Sequence, residues 1–327
     1  MTGWGIAGCG WVARDHALPG LLAAGADVVA LLDRSVAALD RMPCAAVRTP
    51  DVEGFLRTPG LDAVYVATPN AAHRELAEAA AAAGKAVLCE KPLATDVADA
   101  EAIVKACDGL LLGTAYDQRW HPAHRRLAEL VPELGTVTAV RIVYCCWLPR
   151  DWTPDGGRHE NWRVDPAVAG GGASIDLAPH GIDLVGALLG DDLVELHAVL
   201  QTRVHDYAVD DGALLQGRTA EGVLVDLHVA YNVPDALPRR RLEVVGTRGT
   251  AVAIDTMGQT AGGTLTLLRP EPVDVPFSGA SPFAEQFRAF SAAVDGDTGA
   301  WPYDPRRDLR LHRLLVEALD RSDRRRT

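Results

Sequence analysis

Lysine is almost missing from this chain: Lys85, Lys91 and Lys105 are the only three among 32 basic residues. Acidic residues outnumber basic ones, 44 to 32, for a formal charge of −12. A surface of that sign repels nucleic acid and anionic membrane unless a local basic patch intervenes. The two short arginine runs, Arg239-Arg240-Arg241 and Arg324-Arg325-Arg326, read as a solvated strand end and a solvated tail. Long apolar runs are missing too. None reaches the ~20 residues that cross a bilayer, and the Ala-rich stretch Ala77–Ala83 belongs to an amphipathic helix. No charged leader precedes the apolar strand pattern at Trp4-Gly5-Ile6-Ala7, so no targeting segment is expected. The six cysteines, at 9, 44, 89, 107, 145 and 146, form no CxxC pair with metal spacing. A chain of this size needs no disulfide staples, which points to free thiols in a reducing cytoplasm. There is no internal repeat, no low-complexity linker and no metal-ligand constellation. With 48% apolar and 23% charged residues, disordered and collagen-like classes are excluded.

What is there suits two domains, since 327 residues exceed one small domain. Short Val-, Leu- and Ala-rich runs at Gly3–Ala7, Val28–Leu32, Ala63–Ala67, Ala86–Cys89 and Leu110–Thr114 lack period-2 alternation. That is the pattern of strands buried on both faces. Helical stretches at Trp11–Ala24, Ser35–Arg41, Asn70–Ala83 and Asp96–Cys107 separate them. The alternation predicts an α/β fold: a doubly wound parallel sheet of the Rossmann type over residues 1–119. Beyond it come a helix at Pro122–Leu130, a strand at Val137–Trp147, a polar Trp- and Gly-rich loop at Leu148–Gly172, and a helix near Ile175–Leu189. Alternating segments then predict a large, mostly antiparallel, open-faced sheet, with helices at Ser281–Val294 and Arg307–Asp320 closing an α+β domain over 120–327.

Gly8-Cys9-Gly10-Trp11-Val12-Ala13 fits GxGxxA between the first strand and the first helix. Gly8 permits the tight turn, Gly10 lets backbone approach a pyrophosphate, and Ala13 allows close helix–strand packing. The helix N-terminus supplies positive potential, and the backbone of Trp11 and Val12 lies along it. Asp33 ends the second strand, where a carboxylate accepts hydrogen bonds from adenosine ribose hydroxyls and repels a 2′-phosphate. NAD is therefore favoured over NADP, although Arg34 can pair with a 2′-phosphate.

Two further segments are more specific. One is Ala67-Thr68-Pro69-Asn70-Ala71-Ala72-His73 with Cys89-Glu90-Lys91-Pro92; the other is Gly170-Gly171-Gly172-Ala173-Ser174-Ile175-Asp176-Leu177-Ala178-Pro179-His180. With the phosphate loop, the Gln118-Arg119-Trp120-His121-Pro122 crossover and the Glu243–Gly249 strand–turn, they resemble the glucose–fructose oxidoreductase/inositol dehydrogenase family of NAD(P)-dependent oxidoreductases across essentially the whole chain. The resemblance implies that Lys91, Asp176 and His180 surround the nicotinamide. It implies that Thr68, Asn70, His73 and Glu90 line the cofactor, that Gln118 sits at the matching crossover, and that Trp162-Arg163 touches the nicotinamide end.

The residue types suit that chemistry. Asp176 and His180 are four apart and share a helix face. An imidazole near its ordinary pKa takes a proton from a hydroxyl as hydride leaves the same carbon. Asp176 can hold a substrate hydroxyl or orient the imidazole, and Lys91 can donate to a developing alkoxide. His180 is favoured as the acid/base, with Lys91 the other candidate. Four of the seven tryptophans, at 120, 147, 152 and 162, suit either the apolar face of a sugar ring or interface packing. His159, Asn161, Arg163 and Asp165 are candidates for hydroxyl contacts, whereas His121 and His124 read as part of an ordinary crossover helix. The expected activity is hydride transfer between NAD(P) and a secondary alcohol or ketone of a sugar, sugar nucleotide or cyclitol. Alternatives are an NADPH-dependent ketosugar reductase, an NAD-dependent glycoside-cleaving relative, and a non-catalytic dinucleotide-binding sensor. A homodimer or homotetramer joined through the second sheet is expected from its open face.

Overall fold

The computed structural model describes residues 1–153 and 161–323. His159 and the Arg324–Arg326 run, both singled out above, lie outside the described residues. The chain opens with β1 (Gly3–Ala7), a π-helical turn over Ala13–Ala17 and α1 (Leu18–Ala23). β2 (Asp27–Leu32), α2 (Val36–Asp40), β3 (Val47–Thr49), α3 (Val52–Leu56), β4 (Ala63–Val66) and α4 (His73–Ala82) follow. Next come β5 (Ala86–Cys89), α5 (Val97–Ala106), β6 (Leu112–Thr114), α6 (Pro122–Leu130), β7 (Val137–Cys145), α7 (Pro166–Ala169) and α8 (Ala173–Leu189). β8 (Leu193–Gln201), β9 (Gly212–Thr219), β10 (Leu224–Ala230), β11 (Arg240–Gly246), β12 (Gly249–Ile254), β13 (Thr264–Leu268) and β14 (Pro272–Asp274) precede α9 (Pro282–Val294) and α10 (Pro305–Asp323).

The chain divides into two compact units. The first holds Met1–Asp117 and Phe283–Arg310; the second holds Gln118–Pro282 and the residues from Leu311 on. The first contains a parallel six-stranded sheet of order β3-β2-β1-β4-β5-β6. β1 and β4 are buried along their whole length, which is why their apolar runs do not alternate. α9 belongs to this unit, whereas the apolar pattern alone assigns it to the second. Its Phe287 meets the rings of Trp4 and Tyr65 edge-on at 5.3 and 5.1 Å, and Trp4 Nε1–H donates to Ser291 Oγ at 3.0 Å. Aromatic anchors on both partners tie the late helix to the early sheet. β3, α3 and β14 were not anticipated; each is three to five residues long, too short for a periodic signal.

In the second unit an eight-stranded sheet has the order β14-β13-β12-β11-β7-β10-β9-β8. All its pairs are antiparallel except β7–β10. α8 packs on one face, against β7 to β10. A Cβ at Gly181 would lie 2.6 Å from Leu227 Cδ2, so a glycine is needed for the helix to sit this close to β10. The opposite face carries exposed Val199, Leu214 and Leu224 on three adjacent strands.

Candidate active site

In the first unit the strand order reverses between β1 and β4, and ligands of such sheets bind beyond the carboxyl ends of these strands. The loop after β1 turns at Gly8, whose φ of 96° only glycine adopts without strain. A Cβ there would also strike Ala67 and Thr68 backbone at 2.7 Å, so the phosphate loop and the Thr68-Pro69-Asn70 segment run backbone against backbone. Nothing lies within 4 Å of where a Cβ of Gly10 would be, leaving that backbone open to approach. Asp33 clasps the loop: Cys9 N–H donates to its Oδ2 and Ser35 N–H to its Oδ1, both at 2.8 Å. Each carboxylate oxygen keeps acceptor capacity toward a ribose hydroxyl. These features fit a dinucleotide. Arg34, the next residue, is exposed.

The segments after β4 and β5 are joined by His73, which is fully buried. Its two ring nitrogens face the carbonyls of Thr68 at 3.0 Å and Pro92 at 3.1 Å. Burial pushes its pKa down. His73 is thus a brace holding the Thr68 segment to the Lys91 segment. Glu90 is likewise engaged from below: it accepts the Tyr65 hydroxyl, and its Oε2 accepts Lys91 N–H at 3.2 Å. Asn70 is buried within a 3₁₀ turn, and Trp11 stands edge-on to His16 at 5.1 Å.

Gln118, Asp176, His180, Trp162 and Arg163 belong to the second unit, whereas Lys91 belongs to the first. The crossover is buried and heavily bonded. Gln118 Nε2–H donates to Gly258 carbonyl at 3.0 Å. Arg119 makes a two-pronged ion pair with Asp183 at 2.6 and 2.7 Å, both side chains essentially unexposed. Losing one partner of such a pair costs about 3–5 kcal/mol, because a charge is left buried. His124 Nδ1 lies 2.9 Å from the Gln118 carbonyl, so that nitrogen carries the proton, and Nε2 accepts the Thr256 hydroxyl at 2.9 Å.

α8 carries the Asp176–His180 pair within its first two turns, with Pro179 inside the helix. Its N-terminus lacks a cap of its own; buried Asp210, just ahead of β9, supplies one. The carboxylate accepts Gly172 N–H at 3.0 Å, Ser174 N–H at 2.8 Å and the Ser174 hydroxyl at 2.9 Å. A Cβ at Gly172 would lie 1.9 Å from the Asp210 carbonyl oxygen, so the triple glycine ends where two backbones touch. Burial raises the Asp210 pKa against the pull of these donors. Its neighbour Asp211 accepts three consecutive backbone N–H groups, from Arg203, Val204 and His205.

Tyr231, fully buried at the end of β10, donates its hydroxyl to Asp176 Oδ2 at 2.6 Å. Burial and that carboxylate push its pKa well above the ordinary value. The ring of buried His180 meets Tyr144 edge-on at 5.7 Å. A phenol holding one carboxylate oxygen leaves Asp176 oriented beside an imidazole one turn away, a pair able to hold a hydroxyl and move its proton.

The tryptophan-rich loop is put to more local use. Asn161 accepts Arg163 N–H, and Asp165 caps α7 through Ala167 N–H at 2.9 Å. Arg163 lies over Trp162 and Trp152, 4.5 and 5.6 Å from their ring centres. Trp147 packs edge-on to His205 at 4.7 Å, and buried Trp120 lies under Arg125. Tyr144, Asp210 and Tyr231 were not legible as site residues. Tyr144 stands in β7, Asp210 just ahead of β9 and Tyr231 just past β10, and nothing in the local sequence marks any of them as a neighbour of α8.

Comparison with known proteins agrees with this geometry. Residues 2–110 match the oxidoreductase family with an NAD-binding Rossmann fold, and residues 124–252 match the GFO/IDH/MocA C-terminal domain. A 1,5-anhydro-D-fructose reductase from Ensifer adhaerens is 32% identical over 305 residues, 90% of this chain and 89% of that protein. An inositol 2-dehydrogenase from Acidothermus cellulolyticus is 30% identical, covering 92% of this chain and 83% of that one. Among solved structures, an aldose-aldose oxidoreductase from Caulobacter crescentus superposes with a TM-score of 0.86 at 26% identity, over 100% of this chain and 98% of that one. Two domain models in tandem, a Rossmann sheet with its phosphate loop, and a second sheet carrying the Asp–His helix lead to one conclusion: the chain belongs to the GFO/IDH/MocA family of NAD(P)-dependent oxidoreductases.

Proposed function

We propose that the protein catalyses reversible hydride transfer between NAD(P) and a secondary alcohol or ketone of a sugar, sugar nucleotide or cyclitol. The observation that carries this reading is the Asp176–His180 pair on one face of α8, with Asp176 oriented by the Tyr231 hydroxyl. The names of the relatives, reductases and dehydrogenases of anhydrosugars and inositol, support the substrate class. The nicotinamide supplies the hydride acceptor or donor. His180 takes the hydroxyl proton in oxidation and returns it in reduction; Asp176 holds the hydroxyl; Lys91 donates to the oxygen as negative charge develops. Gly8, Gly10, Trp11, Val12, Asp33, Thr68, Asn70, Gln118, Trp162 and Arg163 hold the dinucleotide, and His73 and Glu90 hold the segments that present it.

NAD is the favoured cofactor, because Asp33 opposes a 2′-phosphate. Exposed Arg34 beside it supports the second reading, an NADPH-dependent ketosugar reductase. Six free thiols support a reducing cytoplasm, and no helix among the described residues is long and apolar enough to cross a membrane. A second copy of the chain docks on the exposed apolar residues of the second sheet, giving a homodimer or homotetramer. His180→Ala is expected to lower turnover by roughly 10²–10⁴ with dinucleotide affinity unchanged, and Asp176→Asn to lower it as well. Steady-state kinetics on a panel of inositols, free sugars and nucleotide sugars, with NAD and NADP, tests this. Near-wild-type turnover by both variants on the best substrate would remove Asp176 and His180 from the chemistry.

A further inference from the structure

The three consecutive arginines at the start of β11 have different fates. Arg239 pairs with Asp235, and Arg241 pairs with Glu243, with Nε 2.9 Å from the carboxylate. Arg241 is the solvated strand end expected from sequence, and Arg239, though half-buried, has its counter-charge. Arg240 differs from both. It is half-buried and stands in register with Tyr144 of β7, its guanidinium carbon 5.7 Å from the centre of the Tyr144 ring. A methyl group on Gly258 would lie 2.4 Å from Arg240 Nη1, so the guanidinium rests on the residue whose carbonyl receives Gln118. Its Nε is buried and has no hydrogen-bond partner, and no carboxylate lies within ion-pair distance, among the described residues.

The same guanidinium is next to the chemistry. Tyr144 meets the His180 ring edge-on, and the charges of Asp176, Arg240 and Arg239 all act on the Cys146 thiol. Arg163 adds a second cation that acts on the Tyr231 hydroxyl. A half-buried charge without a counter-charge is costly, and its planar fork of donors matches a carboxylate or phosphate. In a chain of net charge −12, a cation set here runs against the general field and acts locally.

We propose that Arg240 is a specificity-determining residue that recognises an anionic group, a carboxylate or a phosphoryl group, on the carbohydrate substrate. This rests on the hydride-transfer reading only in placing the reacting carbon at Asp176 and His180. The test uses the NAD(P)-loaded protein and matched probes: D-glucose against D-glucuronate, D-galactose against D-galacturonate, and D-glucose against D-glucose 6-phosphate. Binding is followed by ligand-observed NMR and turnover by nicotinamide absorbance. In at least one pair the anion is expected to bind about tenfold tighter or better, and the uronate and phosphate pairs tell the two sources apart. Arg240→Gln abolishes that preference while leaving the neutral sugar's affinity and the melting temperature unchanged; Arg240→Lys retains part of it. Absence of any charge preference in the wild type, or equal weakening of both members by Arg240→Gln, overturns the proposal. Preferential binding of an anion without turnover counts against hydride transfer and leaves anion recognition standing. Turnover of neutral sugars with no charge preference does the reverse.

Discussion

On the proposed reading Asp33 has two duties that pull apart on mutation. Its oxygens fasten Cys9 and Ser35 N–H groups, and its charge opposes a 2′-phosphate. A charge-assisted hydrogen bond contributes about 1.5–3 kcal/mol, so removing the carboxylate loosens the phosphate loop for either cofactor. Asp33→Ala is therefore expected to raise KM for NAD by about tenfold or more. KM for NADP should rise less, because Arg34 then meets a 2′-phosphate without opposition. Equal increases for both cofactors would show that Asp33 only holds the loop. At this scale the candidate residues that the sequence marks are those in continuous motifs: the glycine loop, Glu90-Lys91-Pro92, and Asp176 with His180. Arg240 escapes a sequence reading because a run of three arginines hides the alternation that turns its middle member inward, and Tyr231 because nothing local marks a tyrosine just past a strand as a carboxylate's partner.

Long apolar strands and the 17-residue α8 were legible as elements because their length carries a period; short edge pieces such as β3 were not. The membership of α9 depends on aromatic contacts with residues nearly three hundred positions away, which no local window contains. The first turn of α6 and its cap have a consequence for pH. Burial lowers the pKa of His121 to about 4 and of His124 to about 3. Both lie below the unfolded value near 6.5, so as pH falls the unfolded chain takes up these protons first. The stability they contribute is complete above pH ~6.5 and is lost as pH falls toward 4 and 3, by roughly 1.4 kcal/mol per pH unit per group. Urea unfolding between pH 7.5 and 4.5 should show that slope. His124→Asn keeps a donor toward the Gln118 carbonyl and does not titrate, so it should flatten the slope. An unchanged slope would assign the acid sensitivity elsewhere.

At the scale of the whole molecule, the sheet face away from α8 mixes two kinds of surface. Val199 pairs across to Leu214, which faces His228 on the next strand, while Leu224 stands four positions along that strand opposite Arg218; their exposures are 69%, 49% and 63%. Around them Arg218 and His197 are both bound to Glu195, and Arg141 lies 3.6 Å from Glu243. The charges are satisfied within the chain, so a second copy docking as proposed would meet exposed apolar residues set in a polar surround, the usual anatomy of an interface. Leu214→Glu places a charge beside Val199 on that face and should yield a folded monomer with unchanged secondary structure. Salt separates this from assembly through ion pairs. Each copy carries −12, so association works against repulsion that is screened beyond ~10 Å at 0.1 M ionic strength. Light scattering at micromolar concentration should show the oligomer persisting or growing as salt rises from low ionic strength to about 0.15 M. A wild-type monomer under these conditions, or dissociation by added salt, would rule out assembly through this face.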